Sequence, residues 1–412
     1  MNARTVDFLV LSAFSAAAFA AVPTVGNVRL SGHSKATVTY DLTGAPGIVT
    51  MEIQTNTVED LSGEWVAIDG QLLRDVSGDV SCVVQPGTDR KIKWPARAAL
   101  GGSLKNVRAV LTAWATNAPP DYLVVNLAGQ DVPRYYTSTN YFPCGFGHLA
   151  YKTTNVVYKL VKAKGRTFTA GEYTNCLTPA EGGGNPHVIN MTRDYYLSIY
   201  ELTQAQYHWA TGYERPWEDK SWPAGMNYDR PYPCTIMWYS NFRNGDWKTP
   251  LDKTTFCGAA SAKSGLHVDL PTEAEWEFAA RCGGYRKVRT QIVNGEPAED
   301  LHAVANANGY SDDVIEVGLL TPNDWGFYDM IGNVWEICLD VVKYLPDNMS
   351  EPILEETTDP HGLDLSDGGG HSLRGGNFAS TYTYNTVYRN VYGQGQHGYG
   401  GRTVVVIEEP VE

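Results

Sequence analysis

The segment Trp325-Gly-Phe-Tyr-Asp-Met-Ile-Gly-Asn-Val-Trp-Glu336 sets two carboxylates, Asp329 and Glu336, seven residues apart among aromatic side chains. Gly332 lies between them and takes a positive φ at no steric cost. The chain can therefore curl there, aiming both carboxylates and the intervening carbonyls at one point. Hard cations such as calcium take an all-oxygen shell of this kind. The same residues support a second arrangement, in which Asp329 caps a turn and Glu336 pairs with an arginine beneath a tryptophan-lined core. Buried ion pairs perturb a site as readily as ligands do.

Other residue types offer less. Glu273, Glu275 and Glu277 look like a carboxylate cluster, but positions two apart on a helix point to different faces. Glu273 and Glu275 also suit the positive end of a helix. The seven cysteines, Cys82, Cys144, Cys176, Cys234, Cys257, Cys282 and Cys338, form no CxxC pair, so zinc-ribbon and thioredoxin-type chemistry lack their spacing. Burial as small hydrophobes is the default for Cys282 and Cys338. Ser380 lies between His371 and His397 in sequence, yet a serine nucleophile needs a base and oxyanion donors in space. Phosphate loops, HExxH and GxSxG are absent. Asn306-Ala-Asn308 and Asp312-Asp313 gather oxygen donors that suit either a second cation or an exposed polar loop.

From Asn377 to Tyr399 the chain is rich in Asn, Thr, Tyr, Ser, Gln, His and Gly, with Arg374 and Arg389 at its start and middle. Rigid rings with small polar residues make adaptable binding surfaces. Arg374, Asn377, Ser380, Tyr384 and Asn385, with Trp335, are the candidate ligand-binding residues. The alternative is that the tyrosines are half-buried packing between short strands.

Three motifs carry a family resemblance: the central segment, Leu270-Pro-Thr-Glu-Ala-Glu-Trp-Glu-Phe-Ala-Ala-Arg281, and Leu373-Arg-Gly-Gly-Asn377. Tyr200-Glu-Leu-Thr-Gln-Ala-Gln206 and Gly401-Arg402 fall in the same order. Together they resemble the formylglycine-generating enzyme (sulfatase-modifying factor) family, from about Tyr122 to the C-terminus. The resemblance implies a C-type-lectin-like fold whose loops are held by calcium, with ligands at Asp329, Gly332, Val334 and Glu336. The outer two would bind through side chains and the inner two through carbonyls. A second calcium site would lie near Asn306–Asp313. Oxidase members bind copper(I) through two cysteines and convert a sulfatase cysteine to formylglycine. Those two positions hold Ser380 and Asn385 here, and no cysteine follows Cys338. Soft thiolates select copper(I) where hydroxyl and amide oxygens do not, so copper is not expected and no catalytic residue is assigned. The His-x-x-x-His-x-Glu arrangement of iron-dependent relatives is absent as well. The family's cleft then serves as a binding site for a peptide or carbohydrate, or for a sulfatase-type protein. The rival expectations are an active oxidase with thiols supplied from elsewhere, a relative with unrelated chemistry, and a structural cell-surface component.

The elements that must position these residues are partly announced. Thr203 with Gln206, and Thr272 with Glu275, form capping boxes that open two helices. Leu202 and Tyr207 staple the first, Gly212 ends it in a left-handed turn, and Trp276, Ala279 and Ala280 form the buried stripe of the second. Tyr213–Gly258 reads as a long irregular stretch holding Trp217, Trp222, Trp238 and Trp247, and Glu181–Pro186 as a loop. Asn155–Val161 reads as a strand, and Arg402–Ile407 as a buried one. The whole is an α+β domain with few helices and many loops over residues 122–412. Residues 22–116, with alternating runs at Ala36–Leu42, Ile48–Gln54 and Val107–Trp114, indicate an all-β immunoglobulin-like sandwich. Asn117-Ala-Pro-Pro-Asp121 is a short stiff linker between the two.

Across 412 residues the formal charge is −14, which argues against nucleic acid or an anionic membrane surface as partner. Residues 1–20 read as a secretory signal peptide, with Arg4, an apolar run from Phe8 to Ala18, and Ala18-Phe-Ala20 as the cleavage site. Such a leader would direct the chain to the periplasm or the exterior; the alternative is an uncleaved anchor. No later segment has eighteen consecutive apolar residues, so nothing else is expected to enter a membrane.

Overall fold

A computed structural model describes residues 21–101, 104–171, 187–213, 229–284, 292–293, 296–297, 300–307, 309–342, 357–361, 370–380, 390–391 and 398–407. The leader at 1–20, the loop Glu181–Pro186, Cys176, Trp217, Trp222, Asn308, Tyr384, Asn385, Arg389 and His397 lie outside the described residues.

In the N-terminal part, alternation of apolar and polar residues sends every second side chain to one face. Ala36, Val38, Tyr40 and Leu42 all point inward from the strand Ala36–Thr43. That strand pairs with Thr24–Gly32 on one side and Gly87–Trp94 on the other, and Ser77–Gly78 closes the sheet. A second antiparallel sheet is built on Gly47–Asn56, with Val107–Ala115 along one edge and Trp65–Ala67 and Cys82–Val84 along the other. Val49, Met51 and Ile53 of this sheet share a single core with Val38, Tyr40, Ile92 and Trp94 of the first.

The remaining chain folds around a six-stranded antiparallel sheet. Its spatial order is Arg134–Tyr136, Tyr122–Asn126, Asn155–Val161, Tyr195–Ser198, Val404–Val406 and Val268–Asp269. The strand Val404–Val406 is apolar at every position because it has a neighbour on both edges, Tyr195–Ser198 and Val268–Asp269. A smaller sheet orders Asn390–Val391, Gly370–Arg374, Trp335–Val342 and Tyr399–Gly400. Its register places Glu336 opposite both Arg374 and Gly400.

Both capping boxes form. Thr203 Oγ1 accepts the Gln206 N–H while Gln206 Oε1 accepts the Thr203 N–H, and Gly212 ends the helix Gln204–Thr211 at φ 76°. Thr272 and Glu275 exchange the same pair of bonds ahead of the helix Glu273–Ala280. A further helix, Phe256–Ser264, begins inside the stretch expected to be irregular. Its sequence hides it: Gly258 stands where a capping box would place Glu or Gln, and glycine is a poor helix former. Glycine is nonetheless required, since a Cβ at residue 258 would meet the Asp252 carbonyl oxygen at 2.0 Å. Tyr239–Phe242 adds a single short turn of helix.

One core contact carries a pH signature. The His371 ring stacks on Tyr239 with centroids 3.3 Å apart and planes within 7°, and its Nδ1 has no partner among the described residues. Burial pulls the imidazole down to about 4, despite hydrogen bonding to the backbone at Leu339 and Asp340. The unfolded chain, with histidine near 6.5, therefore binds more protons than the folded one between these values. Stability is present above about pH 6.5 and falls, by up to about 3 kcal/mol, as pH drops toward 4. His371→Phe, which retains a stacking ring, should lose this slope in urea denaturations run from pH 7 to 4; an unaltered slope would place the acid sensitivity elsewhere.

Candidate functional site

The carboxylate expected at the heart of the site is fully buried and already paired. Glu336 Oε2 accepts from Arg402 Nε at 2.6 Å and from the Trp276 indole Nε1 at 2.8 Å, while Oε1 accepts from Arg402 Nη2 at 2.7 Å. Arg402 also donates to the carbonyls of Ser198 at 3.0 Å and Tyr328 at 2.8 Å. Three elements meet to make this: the strand Trp335–Val342, the helix Glu273–Ala280, and the segment leading into the last strand. Of the two arrangements open to these residues, a carboxylate paired with an arginine beneath a tryptophan is the one present.

The rest of the segment curls as its glycine permits. Gly332 lies at φ 80°, and a Cβ there would meet the Asn306 carbonyl oxygen at 2.3 Å. Asp329 itself takes a left-handed φ of 56°, and its Oδ2 accepts the Gly318 N–H at 2.7 Å. Glu201, buried at the end of the first helix's lead-in, accepts from Asn333 Nδ2 at 2.6 Å and from the Val334 N–H at 3.1 Å. Burial, then the charges of Asp329 and Glu336, push the Glu201 carboxyl well above its usual range. Burial likewise pushes Asp329 up to about 6, against the pull of the Gly318 N–H, Arg402 and Lys152. Lys152 lies close by, donating from Nζ to the Val317 carbonyl at 2.9 Å.

Of the expected calcium ligands, the Glu336 carboxylate is neutralised by Arg402 without a cation. Oε2 of Glu336 already carries two N–H donors, and a guanidinium occupies the position from which a cation would meet that carboxylate. Among the described residues no group of three or more His, Cys, Asp or Glu is placed to hold a metal ion. At the second expected position Asn306 turns its amide nitrogen, not its oxygen, toward the Asp313 carbonyl at 3.0 Å and Asn333 Oδ1 at 3.1 Å. The Asn306 Oδ1 is buried with no hydrogen-bond partner among the described residues.

Arg374, expected to anchor a ligand, is instead buried at 3% exposure and committed to the helix. Its Nε donates to Glu273 Oε1 at 3.0 Å and its Nη2 to Glu277 Oε2 at 2.8 Å. Glu273 and Glu277 are four apart and share a face, so one planar guanidinium spans both. Arg281 Nη1 holds the other oxygen of Glu277 at 2.6 Å. Glu275 points away, to its own cap and to Arg193 at 3.5 Å. Trp335, 5% exposed, packs in the core.

Ser380 is 6% exposed. Its hydroxyl accepts the Asn377 N–H at 2.8 Å and donates to Asn377 Oδ1 at 2.9 Å. It is the clasp of a local turn, with no histidine among its hydrogen-bond partners within the described residues. Of the described candidates, Arg374, Trp335 and Ser380 are buried and Asn377 is half-buried, so these four do not form an open wall. Sequence reasoning assigned no role to Arg402 or Glu201. The usable signal was a lone charge inside an apolar run, Arg402 before Thr-Val-Val-Val and Glu201 within Ile-Tyr-Glu-Leu, since isolated charges enter a core only with partners.

Residues 151–404 match the Sulfatase-modifying factor enzyme 1-like domain. A serine/threonine-protein kinase pkn1 from Chlamydia caviae is 39% identical over 97 residues, which is 24% of this chain and 15% of that protein. The chain therefore spans only a small part of that kinase. The formylglycine-generating enzyme of Streptomyces coelicolor is 30% identical over 273 residues, covering 56% of this chain and 81% of the relative. A bovine protein, inactive C-alpha-formylglycine-generating enzyme 2, is 37% identical over 83 residues, 16% of this chain and 25% of its own length.

The paired charges at the centre make a direct prediction. Arg402→Met strands the Glu336 carboxylate in the core and should cost about 3–5 kcal/mol. Adding Glu336→Gln, whose amide oxygen still accepts from Trp276, should restore part of that loss in urea denaturation. A single-variant cost below about 1 kcal/mol, the range of an exposed pair, would mean the pair is not buried in solution.

Proposed function

This chain belongs to the sulfatase-modifying factor family, and from that premise we propose that it is an exported member which binds a peptide or glycan and lacks copper oxidase chemistry. One observation carries the reading: the thiol positions of the oxidases hold Ser380 and Asn385, and no cysteine follows Cys338. The engagement of the Ser380 hydroxyl on Asn377 adds support, because it leaves that oxygen a structural clasp. The likeness of one stretch to a relative described as inactive is in keeping with it. The tyrosine- and asparagine-rich stretch from Asn377 to Tyr399 supplies the binding surface in this reading. Residues 1–20 act as the export signal, the C-terminal part takes a C-type-lectin-like arrangement, and the N-terminal sheets form an immunoglobulin-like module that spaces or presents it.

A second reading, an active formylglycine-generating oxidase with its thiols supplied differently, draws on the relative matched over most of its length. One assay separates the two. Purified protein is incubated with copper(I), oxygen and a Cys-x-Pro-x-Arg peptide, and the peptide is weighed by mass spectrometry. The expected outcome is no change in the cysteine; turnover above a Ser380→Ala, Asn385→Ala control would establish the oxidase.

Arg402 supplies the counter-charge for Glu336 in this reading, so calcium is not needed at that carboxylate. A ligand bound only by the folded state raises its stability by mass action. Excess chelator should therefore leave the melting temperature where it was. A drop that added calcium reverses, and that Glu336→Gln abolishes, would restore the cation to the Asp329–Glu336 segment.

A further inference from the structure

We propose that the junction between the N-terminal sheets and the strand Arg134–Tyr136 is a binding site for a small organic carboxylate. It stands on residues other than those of the C-terminal stretch proposed above. The two parts of the chain are fastened here by hydrogen bonds. The Tyr135 N–H donates to the Ser81 carbonyl at 2.7 Å, Arg134 Nη1 to the Val80 carbonyl at 2.9 Å, and Gln71 Nε2 to the carbonyls of Asn140 and Phe142 at 2.7 and 3.1 Å. Between these fastenings a cavity of about 230 Å³ remains. Clefts between domains are a favoured place for ligands.

The lining states the chemistry. Met51, Leu73, Val76 and Val80 give it an apolar side, and Ser81, Thr137, Tyr136 and Tyr141 bring hydroxyl-bearing side chains. Among the described residues its formally charged lining is two arginines, Arg74 and Arg134, in a protein whose net charge is −14. Arg74 is largely exposed and has Asp75 beside it at 3.9 Å. Arg134 is half-buried and has no carboxylate within ion-pair distance among the described residues; its one hydrogen bond there is to Val80. A guanidinium has five N–H donors in a planar fork, so most of this one is unspent. Tyr135 and Tyr136 are 6% and 9% exposed, and neither hydroxyl has a hydrogen-bond partner among the described residues. Ser81 is held at φ 56°, a left-handed conformation that a non-glycine residue keeps only where its surroundings enforce it.

An unpaired arginine fork matches a carboxylate bidentately, and the apolar side takes the body of the same molecule. The volume falls below the roughly 300–1,000 Å³ of sites for drug-sized ligands. The occupant is therefore a single ring or short aliphatic acid, such as a uronic acid or an aromatic acid.

Calorimetric titration of the full chain tests this with glucuronate and benzoate as probes, against glucose and benzamide as their uncharged counterparts. At least one carboxylate should bind roughly tenfold or more tightly than its neutral counterpart, as a charge-assisted bidentate contact requires. Arg134→Gln should abolish that binding while circular dichroism of the unliganded protein shows the parent's fold. If that variant does not fold, Arg134→Lys and Tyr136→Phe serve instead, and both should weaken binding. The proposal is overturned if neither carboxylate binds at millimolar concentration, if charged and neutral probes bind alike, or if the folded variants keep the parent's affinity.

Discussion

The buried ion pair between Arg402 and Glu336 is the constraint around which the C-terminal part is arranged. A carboxylate removed from water is costly unless it is paired and its lone pairs are filled. Here one guanidinium and one indole N–H do this together. The same guanidinium reaches the carbonyls of Ser198 and Tyr328, so the last strand, the central segment and the inner strand Tyr195–Ser198 of the large sheet are tied at one point. Such a pair gives no large net gain over an apolar core of equal volume. What it does is fix which strand lies where, since a slipped register would leave a charge unpaired.

A second pair of charges repeats the device one helix turn away. Arg374 bridges Glu273 and Glu277, and Arg281 closes on Glu277 from the other side. The helix Glu273–Ala280 is buried on all its faces, including its three glutamates, two of which share Arg374 while Glu275 faces Arg193. Charged residues that look like catalytic material in a sequence are here the fastenings between a helix and two strands. The chain keeps the scaffold of an enzyme family while its recognisable acids and arginines are consumed in holding that scaffold together.

That distribution bears on what the protein does. The proposed reading rests on Ser380 and Asn385 standing where the resemblance places the two thiols of the family's oxidases. Ser380 has become part of a turn through Asn377. In the reading proposed above, such a scaffold serves recognition, and the junction proposed at Arg134 is chemically distinct from the C-terminal stretch.

Local order was fixed by the amino-acid sequence itself. Alternating strands such as Ala36–Thr43, the run Asn155–Val161 and both capping boxes are properties of neighbouring residues, so spacing alone revealed them. The helix Phe256–Ser264 escaped because Gly258 is dictated by a distant carbonyl, that of Asp252, and not by helix propensity. The partners of charged groups also lay beyond reach. Glu336 suited a cation or an arginine equally well until folding brought Arg402, sixty-six residues later, against it. Arg374 read as a ligand anchor until two glutamates about a hundred residues earlier claimed it. Periodicity and capping are short-range and written along the chain, whereas the neutralisation of a buried charge is decided only when distant segments meet.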